Sequence, residues 1–290
     1  MNDKTIVTHD GNFHADDVFS IATLKCIFPS FNLIRTRDAE VISQADIVLD
    51  VGGEYDADAG RFDHHQRGGA GEREDGTPYS SFGLIWKKYG LVICQGNQEI
   101  ANSVDSGLVA VIDGIDCGYV KGVATGISLS HTISMFNPTW QEEGDFDACF
   151  NEAVDFASRI LARFIATATG GISAKVIVAK AIDDADDPRV IVLEKYTPWK
   201  RTVHSSSKKA LFVVYPAQTG QWRIQTVPAE LGSFEDRKSL PKNWAGLNGK
   251  ALQEMTGIDD AMFCHNGLFI AGAESFTSIM KMATMALIEA

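Results

Sequence analysis

The 290-residue chain contains no run of roughly eighteen uninterrupted apolar residues, the length that a membrane span requires. An integral membrane protein is therefore not expected. Its first residues, MNDKTIVTHDG, hold neither a basic segment followed by an apolar stretch nor an Arg-rich amphipathic leader. The expectation is a cytoplasmic protein without an export or organelle address. Cysteine is sparse: Cys26, Cys94, Cys117, Cys149 and Cys264 are odd in number and widely spaced. That suits free thiols in a reducing compartment and excludes a CxxC zinc site. Eight prolines and 26 glycines without a repeat exclude collagen and low-complexity architectures. Positive charge is also short. A net charge of −12 argues against a general nucleic-acid coat protein. Neither GxSxG nor GxxxxGK[ST] occurs, so no nucleophile elbow or P-loop is expected.

What is present is an α/β pattern. IVT (6–8), FNLIRT and ADIVLDV (45–51) read as strands, and helical patterns cover about 16–26 and SSFGLIWKKYG. Strands alternating with helices favour a mostly parallel sheet flanked by helices. From 146 to 182, Phe150, Val154, Ala157, Leu161, Phe164 and Ala168 recur at three- and four-residue steps, the mark of a buried helical stripe. Gly170-Gly171 is expected to divide this stretch into two helices. The acidic DDADDP (183–188) reads as a linker, which gives an N-terminal domain over 1–185 and a smaller α+β domain over 186–290. The second domain holds three strand-like segments, RVIVLEK, ALFVVYP and WRIQTVP, then the loop SFEDRKSLPKNWAGL and a helix over about 275–288.

Charge is divided unevenly between the two. Residues 195–250 carry ten basic against three acidic side chains, leaving 16 basic against 35 acidic elsewhere. An acidic metal-binding half with a basic phosphate-binding half would give this pattern, and so would ordinary solvated surface.

Histidine and aspartate carry the chemistry. His9, His14, His64 and His65 all lie in the first 65 residues, beside aspartates and just beyond strands. Ligands of open α/β sheets gather at such strand ends. In THDGNFHADD, His9, His14 and Asp16 read together as metal ligands, and Asp17 as a helix cap. Asp50 ends a buried strand, where a carboxylate is costly unless paired or on a metal; a turn cap is the plain alternative. RFDHHQ supplies Asp63, His64 and His65, with Asp63 a ligand or the partner that orients a histidine. VIDGIDCG offers Asp113 and Asp116 as metal-ligand candidates; either could hold one ion or bridge two, at most one is expected to bridge, and a helix or turn cap is the plain alternative for one of them. Imidazole and carboxylate without thiolate suit Mn2+, Co2+ or Fe2+, with Mg2+ possible. The set is large enough for two divalent ions, a grouping that supports in-line phosphoryl displacement by an activated water.

This succession resembles the DHH phosphoesterase superfamily. More closely, THDGNFHADD, DVGGEYD, FDHHQ, SSFGLIWKKYG, SFEDRKSLPKNWAGL and FCHNGLFIAGA resemble the melanocyte-proliferating-gene protein family, from about His9 to Leu287. The resemblance implies a DHH-type N-terminal domain with Mn2+-type metals, 3′–5′ RNA exonuclease activity, and substrate in the cleft between domains. It makes His9, Asp16, Asp50, His64 and Asp116 metal ligands, and Asp63, His64 and His65 the catalytic DHH motif. One departure stands out: His14 occupies a position where the superfamily carries a carboxylate, so it is either a ligand or a phosphate contact. FCHNGLFIAGA resembles a phosphate-gripping segment, with His265, Asn266 and Gly267, and with Gly272 near a helix start. Lys200, Arg201, Arg223, Arg237 and Lys238 are candidates for holding a substrate backbone. Trp199, Trp222, Phe234 and Trp244 lie among them, and aromatics among basic residues can stack bases. Arg237 and Trp244 form the preferred pair.

The expected function is a metal-dependent 3′–5′ exonuclease acting on single-stranded RNA or short oligonucleotides. A small-molecule phosphatase or pyrophosphatase and a non-catalytic metal-binding regulator are the alternatives. No membrane partner is expected, and a homodimer is left open.

Overall fold

Strand and helix alternate through the first half of the computed structural model, which describes residues 4–119 and 127–288. In order, this half contains β1 (Lys4–Thr8), α1 (Ala15–Lys25), β2 (Phe31–Arg35), α2 (Ala39–Gln44), β3 (Ile47–Leu49), β4 (Tyr55–Asp56), β5 (Arg61–Phe62), α3 (Ser81–Ile93), α4 (Gln98–Val104), α5 (Ala110–Asp116) and α6 (Leu129–Ser134). A π-helical turn, Asp105–Val109, joins α4 to α5. Next comes α7 (Phe146–Asp183), followed by β6 (Val190–Val192), α8 (Lys200–Ser206), β7 (Phe212–Pro216), β8 (Trp222–Thr226), α9 (Lys250–Thr256), β9 (Ala261–Cys264), β10 (Ile270–Ala273) and α10 (Phe276–Ile288). The chain divides into two compact units, Met1–Thr169 and Gly170–Ala290.

The first unit is built on the sheet β2-β1-β3-β5-β4. All its neighbours are parallel except the β4–β5 pair. Strands β1, β3 and β5 are adjacent, so the segments leaving their carboxyl ends, at His9, Asp50 and Asp63, emerge along one edge. The strand order reverses at β1, which has β2 on one side and β3 on the other; ligands of open α/β sheets collect at such a switch point. One face of the sheet buries Val7, Ala45 and Val48. Helices α1 and α3 meet through Phe19 and Phe82, whose ring centroids lie 5.3 Å apart.

In the second unit the sheet order is β6-β7-β8-β10-β9, with only the β6–β7 pair parallel. Alternation along β7 assigns its two faces, as the two-residue strand period requires. Phe212 and Val214 join a core with Leu240, Trp244, Ile279 and Met282. Val213 and Tyr215 join another with Val178, Trp199 and Val203. The smaller α+β unit is thus as expected in character.

Sequence expectations change along α7 and at the β9–β10 turn. Helix α7 runs through Gly170 and Gly171 unbroken, and neither glycine takes a positive φ. A glycine in a helix interior only weakens it; a left-handed residue or a proline is what stops one. The glycine pair instead marks the division between units, so DDADDP lies inside the second unit. FCHNGLFIAGA forms the β9–β10 pair, and Gly272 lies within β10 rather than at a helix start. Its strands are too short for a periodic signal. Finally, α7 is long and apolar enough to cross a membrane by length and composition, although no uninterrupted apolar run announced it. Of its 18-residue apolar window, 11% is buried, and the buried positions of the helix lie mostly towards its start. Phe150, Ala153, Val154, Ala157 and Leu161 are buried in the first unit, and Ala174 and Val178 in the second.

Candidate metal centre

The loop from His9 to His14 follows β1 and is pinned on both sides. Asn137 clamps Phe13, its Oδ1 accepting from the Phe13 N–H at 3.0 Å and its Nδ2 donating to the Phe13 carbonyl at 2.9 Å. The buried Arg35 guanidinium donates to the Gly11 carbonyl at 2.6 Å. Asp17 caps α1 as expected, its Oδ1 accepting from the His14 N–H at 3.0 Å. Its Oδ2 lies 3.3 Å from His9 Nε2, so the cap also faces the centre.

Asp50 ends β3 with φ of 56°, a left-handed conformation that costs a non-glycine residue of order 1–3 kcal/mol. Gly52 and Gly53 complete the turn at positive φ. This strained position aims one carboxylate at two imidazoles. Asp50 Oδ2 lies 3.2 Å from His9 Nε2, and Oδ1 lies 3.2 Å from His64 Nε2. His64 Nε2 also faces Asp116 Oδ2 at 3.4 Å and Asp16 Oδ2 at 3.7 Å. Asp116 arrives from the last turn of α5.

Asp63 serves the DHH segment as an organiser. Its Oδ1 accepts from the N–H groups of His64 and His65, and from His65 Nδ1 at 2.8 Å. Its Oδ2 accepts from the Gly53 N–H at 2.5 Å, which ties the DHH loop to the Asp50 turn. Of the two readings of Asp63, the geometry favours the orienting one over ligation.

Electrostatics mark the cluster as short of positive charge. Burial pulls His9 and His64 down, but the surrounding carboxylates outweigh it and push both up to about 10. For Asp50, burial opposes ionisation, yet His64 and His9 hold it well below the usual carboxylate range. Asp16 is pushed far up, first by burial, then by Asp50 and Asp116. Asp116 is raised by burial and by Asp50. Asp16 is fully buried, and among the described residues neither of its carboxylate oxygens has a hydrogen-bond partner. A buried carboxylate left so exposed to its neighbours' charge costs several kcal/mol unless a cation compensates it.

Potential metal-ligand groups fall within the same cluster. His9, His14 and Asp50 each offer an atom within 4.8 Å of the others. So do Asp50, His64 and His65; His14, Asp16 and Asp116; and His64, Asp116 and Cys117. These clusters suit a divalent metal.

Asp113 is drawn elsewhere. It is fully buried, with Oδ2 2.8 Å from Arg73 Nη1 and Oδ1 accepting from Ser80 Oγ and the Gly83 N–H. Burial raises it to about 6 against the pull of Ser80 and Arg73. Arg73 also forms a forked contact with Asp105 at 3.0 and 2.8 Å. Asp113 thus anchors α5, while Asp116, a turn later, reaches the centre. Sequence reading missed Arg73 and Cys117; Arg73 belongs to no motif, whereas Cys117 sits inside VIDGIDCG directly after Asp116, the one signal that could have flagged it.

Several substrate candidates in the second unit have structural duties instead. Trp244 is fully buried in the core, so it presents no face to a base. Arg237 spends its guanidinium on the carbonyls of Ser207 and Ala210, at 2.5 and 3.1 Å. Lys238 donates to the Leu287 carbonyl at 3.1 Å. Trp199 is buried, and Trp222 packs on Phe276 at 4.7 Å between centroids. Arg223 lies across Gly272, stacks over Phe263 and donates to Gln221 Oε1. The β9–β10 turn exposes His265, Asn266 and Gly267, but the Gly267 and Leu268 N–H groups are taken by His265. Lys200, Arg201 and Phe234 are exposed.

Comparison with known proteins agrees across nearly the whole chain. The MYG1_exonuc family model, described as an uncharacterised protein family (UPF0160), matches residues 5–287. A mouse protein named MYG1 exonuclease is 33% identical over 325 residues, covering 99% of this chain and 86% of its own. A Saccharomyces cerevisiae MYG1 protein is 32% identical over 324 residues, covering 98% and 96%. A Chlamydia pneumoniae MYG1 protein is 34% identical over 278 residues, covering 92% and 91%. No solved structure matches.

Proposed function

This chain belongs to the MYG1 family, and from that premise we propose that it is a metal-dependent phosphodiesterase removing nucleotides from the 3′ end of single-stranded RNA or short oligonucleotides. Mouse and human relatives carry the name MYG1 exonuclease, which supports a nuclease-type hydrolase. The observation that carries the metal dependence is Asp50, whose two oxygens each sit 3.2 Å from a different imidazole, beside the buried and unpartnered Asp16.

Two divalent cations, Mn2+ first and Mg2+, Co2+ or Fe2+ after it, would when bound supply the Lewis acidity that phosphodiester hydrolysis needs. His9, His14 and Asp50 would hold one; Asp16, Asp50, His64 and Asp116 would hold the other. Asp63 sets the DHH loop by accepting from three donors there, and leaves the exposed His65 imidazole to meet a phosphate. Exposed Lys200, Arg201, Lys208 and Lys209 supply sequence-independent attraction for a phosphate backbone.

The test incubates purified protein and Mn2+ with 5′-labelled single-stranded RNA, a dinucleotide and pyrophosphate. A ladder shortening from the 3′ end, lost on chelation and in His64→Ala, is the expected result. Rapid pyrophosphate release with intact RNA would replace this reading with a small-molecule hydrolase. Bound metal without hydrolysis of any substrate would replace it with a regulatory role.

A further inference from the structure

The three histidines nearest Asp50 differ in what holds their second nitrogen. His9 Nδ1 lies 3.0 Å from the Asp10 carbonyl, which only accepts, so its Nδ1 carries hydrogen and Nε2 turns to Asp50 and Asp17. His65 Nδ1 lies 2.8 Å from the Asp63 carboxylate. Among the described residues, His64 has neither a carbonyl nor a carboxylate as a partner for Nδ1. Its Nδ1 lies 3.7 Å from the sulfur of Cys117.

Cys117 follows Asp116 directly and ends α5, its N–H donating to the Asp113 carbonyl at 2.9 Å. Two consecutive residues therefore grip the two nitrogens of one ring: Asp116 at Nε2 and Cys117 at Nδ1. The Arg73–Asp113 pair fixes the helix that delivers both. A metal-bound histidine needs a partner for its other nitrogen, because that partner sets the tautomer and the ring angle.

Building on the divalent-metal reading above, we infer that Cys117 is the positioning residue for His64. Its sulfur accepts from Nδ1–H and turns the Nε2 lone pair toward Asp16, Asp50 and Asp116. His9 is oriented by the backbone instead, so the two halves of the centre depend on Cys117 unequally.

Mn2+ titration of chelator-stripped protein against a competing fluorescent chelator tests this. Wild type should take up two cations. Cys117→Ala should weaken one of them roughly 10- to 100-fold and leave the other unchanged. Cys117→Ser, whose hydroxyl accepts but sits further back, should recover part of the loss. The melting temperature of the stripped protein should not move, and Cys26→Ala, at an exposed thiol, should match wild type. Two unchanged affinities in Cys117→Ala would overturn the inference. So would an equal loss at both sites with a lowered melting temperature, since that signals general packing damage. A wild type that binds no Mn2+ would remove the metal reading itself, an outcome separate from either.

Discussion

Mn2+ binding to the stripped protein should expel protons, and the count follows from the site. His9 and His64 are pushed up to about 10 by the carboxylates around them. A metal ligand must be the neutral imidazole, so each bound histidine gives up its proton. At pH 8 only about one in a hundred of such imidazoles is neutral, so full loading releases about two protons per chain. Two ordinary histidines with pKa near 6.5 would together release fewer than about 0.1 at that pH. Asp16, raised by burial and by Asp50, can only add to the count. Isothermal titration at pH 8 in several buffers reads it as the slope of observed enthalpy against buffer ionisation enthalpy. A slope near zero would refute the reasoning, because it would mean the imidazoles do not face those carboxylates or do not bind the metal. The stability consequence has a definite sign. Folded pKa values above the unfolded 6.5 contribute stability that is fully present below pH 6.5 and lost as pH rises through about 10. Stripped protein should therefore soften over that window. Protein with free Mn2+ at a hundred times Kd should gain about 2.7 kcal/mol, and its affinity should rise with pH.

Gly83→Ala should destabilise the first unit by about 1–3 kcal/mol in urea unfolding, since a Cβ there would sit 2.0 Å from Asp113 Oδ2; an unchanged midpoint would contradict the close approach. Arg73→Ala strands the buried Asp113 and should cost about 3–5 kcal/mol, with Asp113→Asn in the same chain restoring a large part of it in a double-mutant cycle. Trp244→Ala should cost about 3–5 kcal/mol with Mn2+ content unchanged, and a Kd for RNA that rose without loss of stability would return Trp244 to the binding surface. Arg237→Ala should likewise lower the melting temperature, because three carbonyls lose their donor.

Local signals carried the elements whose burial is one-sided. β7 alternates between two cores, and in the α7 stripe Phe150, Val154, Ala157 and Leu161 are buried, whereas Phe164 and Ala168 are half-buried and the glycine pair leaves the helix unbroken. The β9–β10 pair was not legible, because four-residue strands around a turn hold too few periods. Aromatics among basic residues misled for a related reason: composition reports that Trp244 and Arg237 are near in sequence to charge, not that one fills a core and the other ties up carbonyls.

Sequence alone supplied candidate imidazoles and carboxylates just beyond strands, but neither the Cys117 thiol nor the second contact of the Asp17 cap. Tertiary structure decided which atoms meet. Strands β1, β3 and β5 become neighbours only through the sheet order, a non-local choice that no spacing encodes. Asp113 and Asp116 are chemically identical and three residues apart; the distant Arg73 claims the first and leaves the second to His64. Cys117 gained its place in the same way, by lying at the end of a helix whose position a buried ion pair had already set.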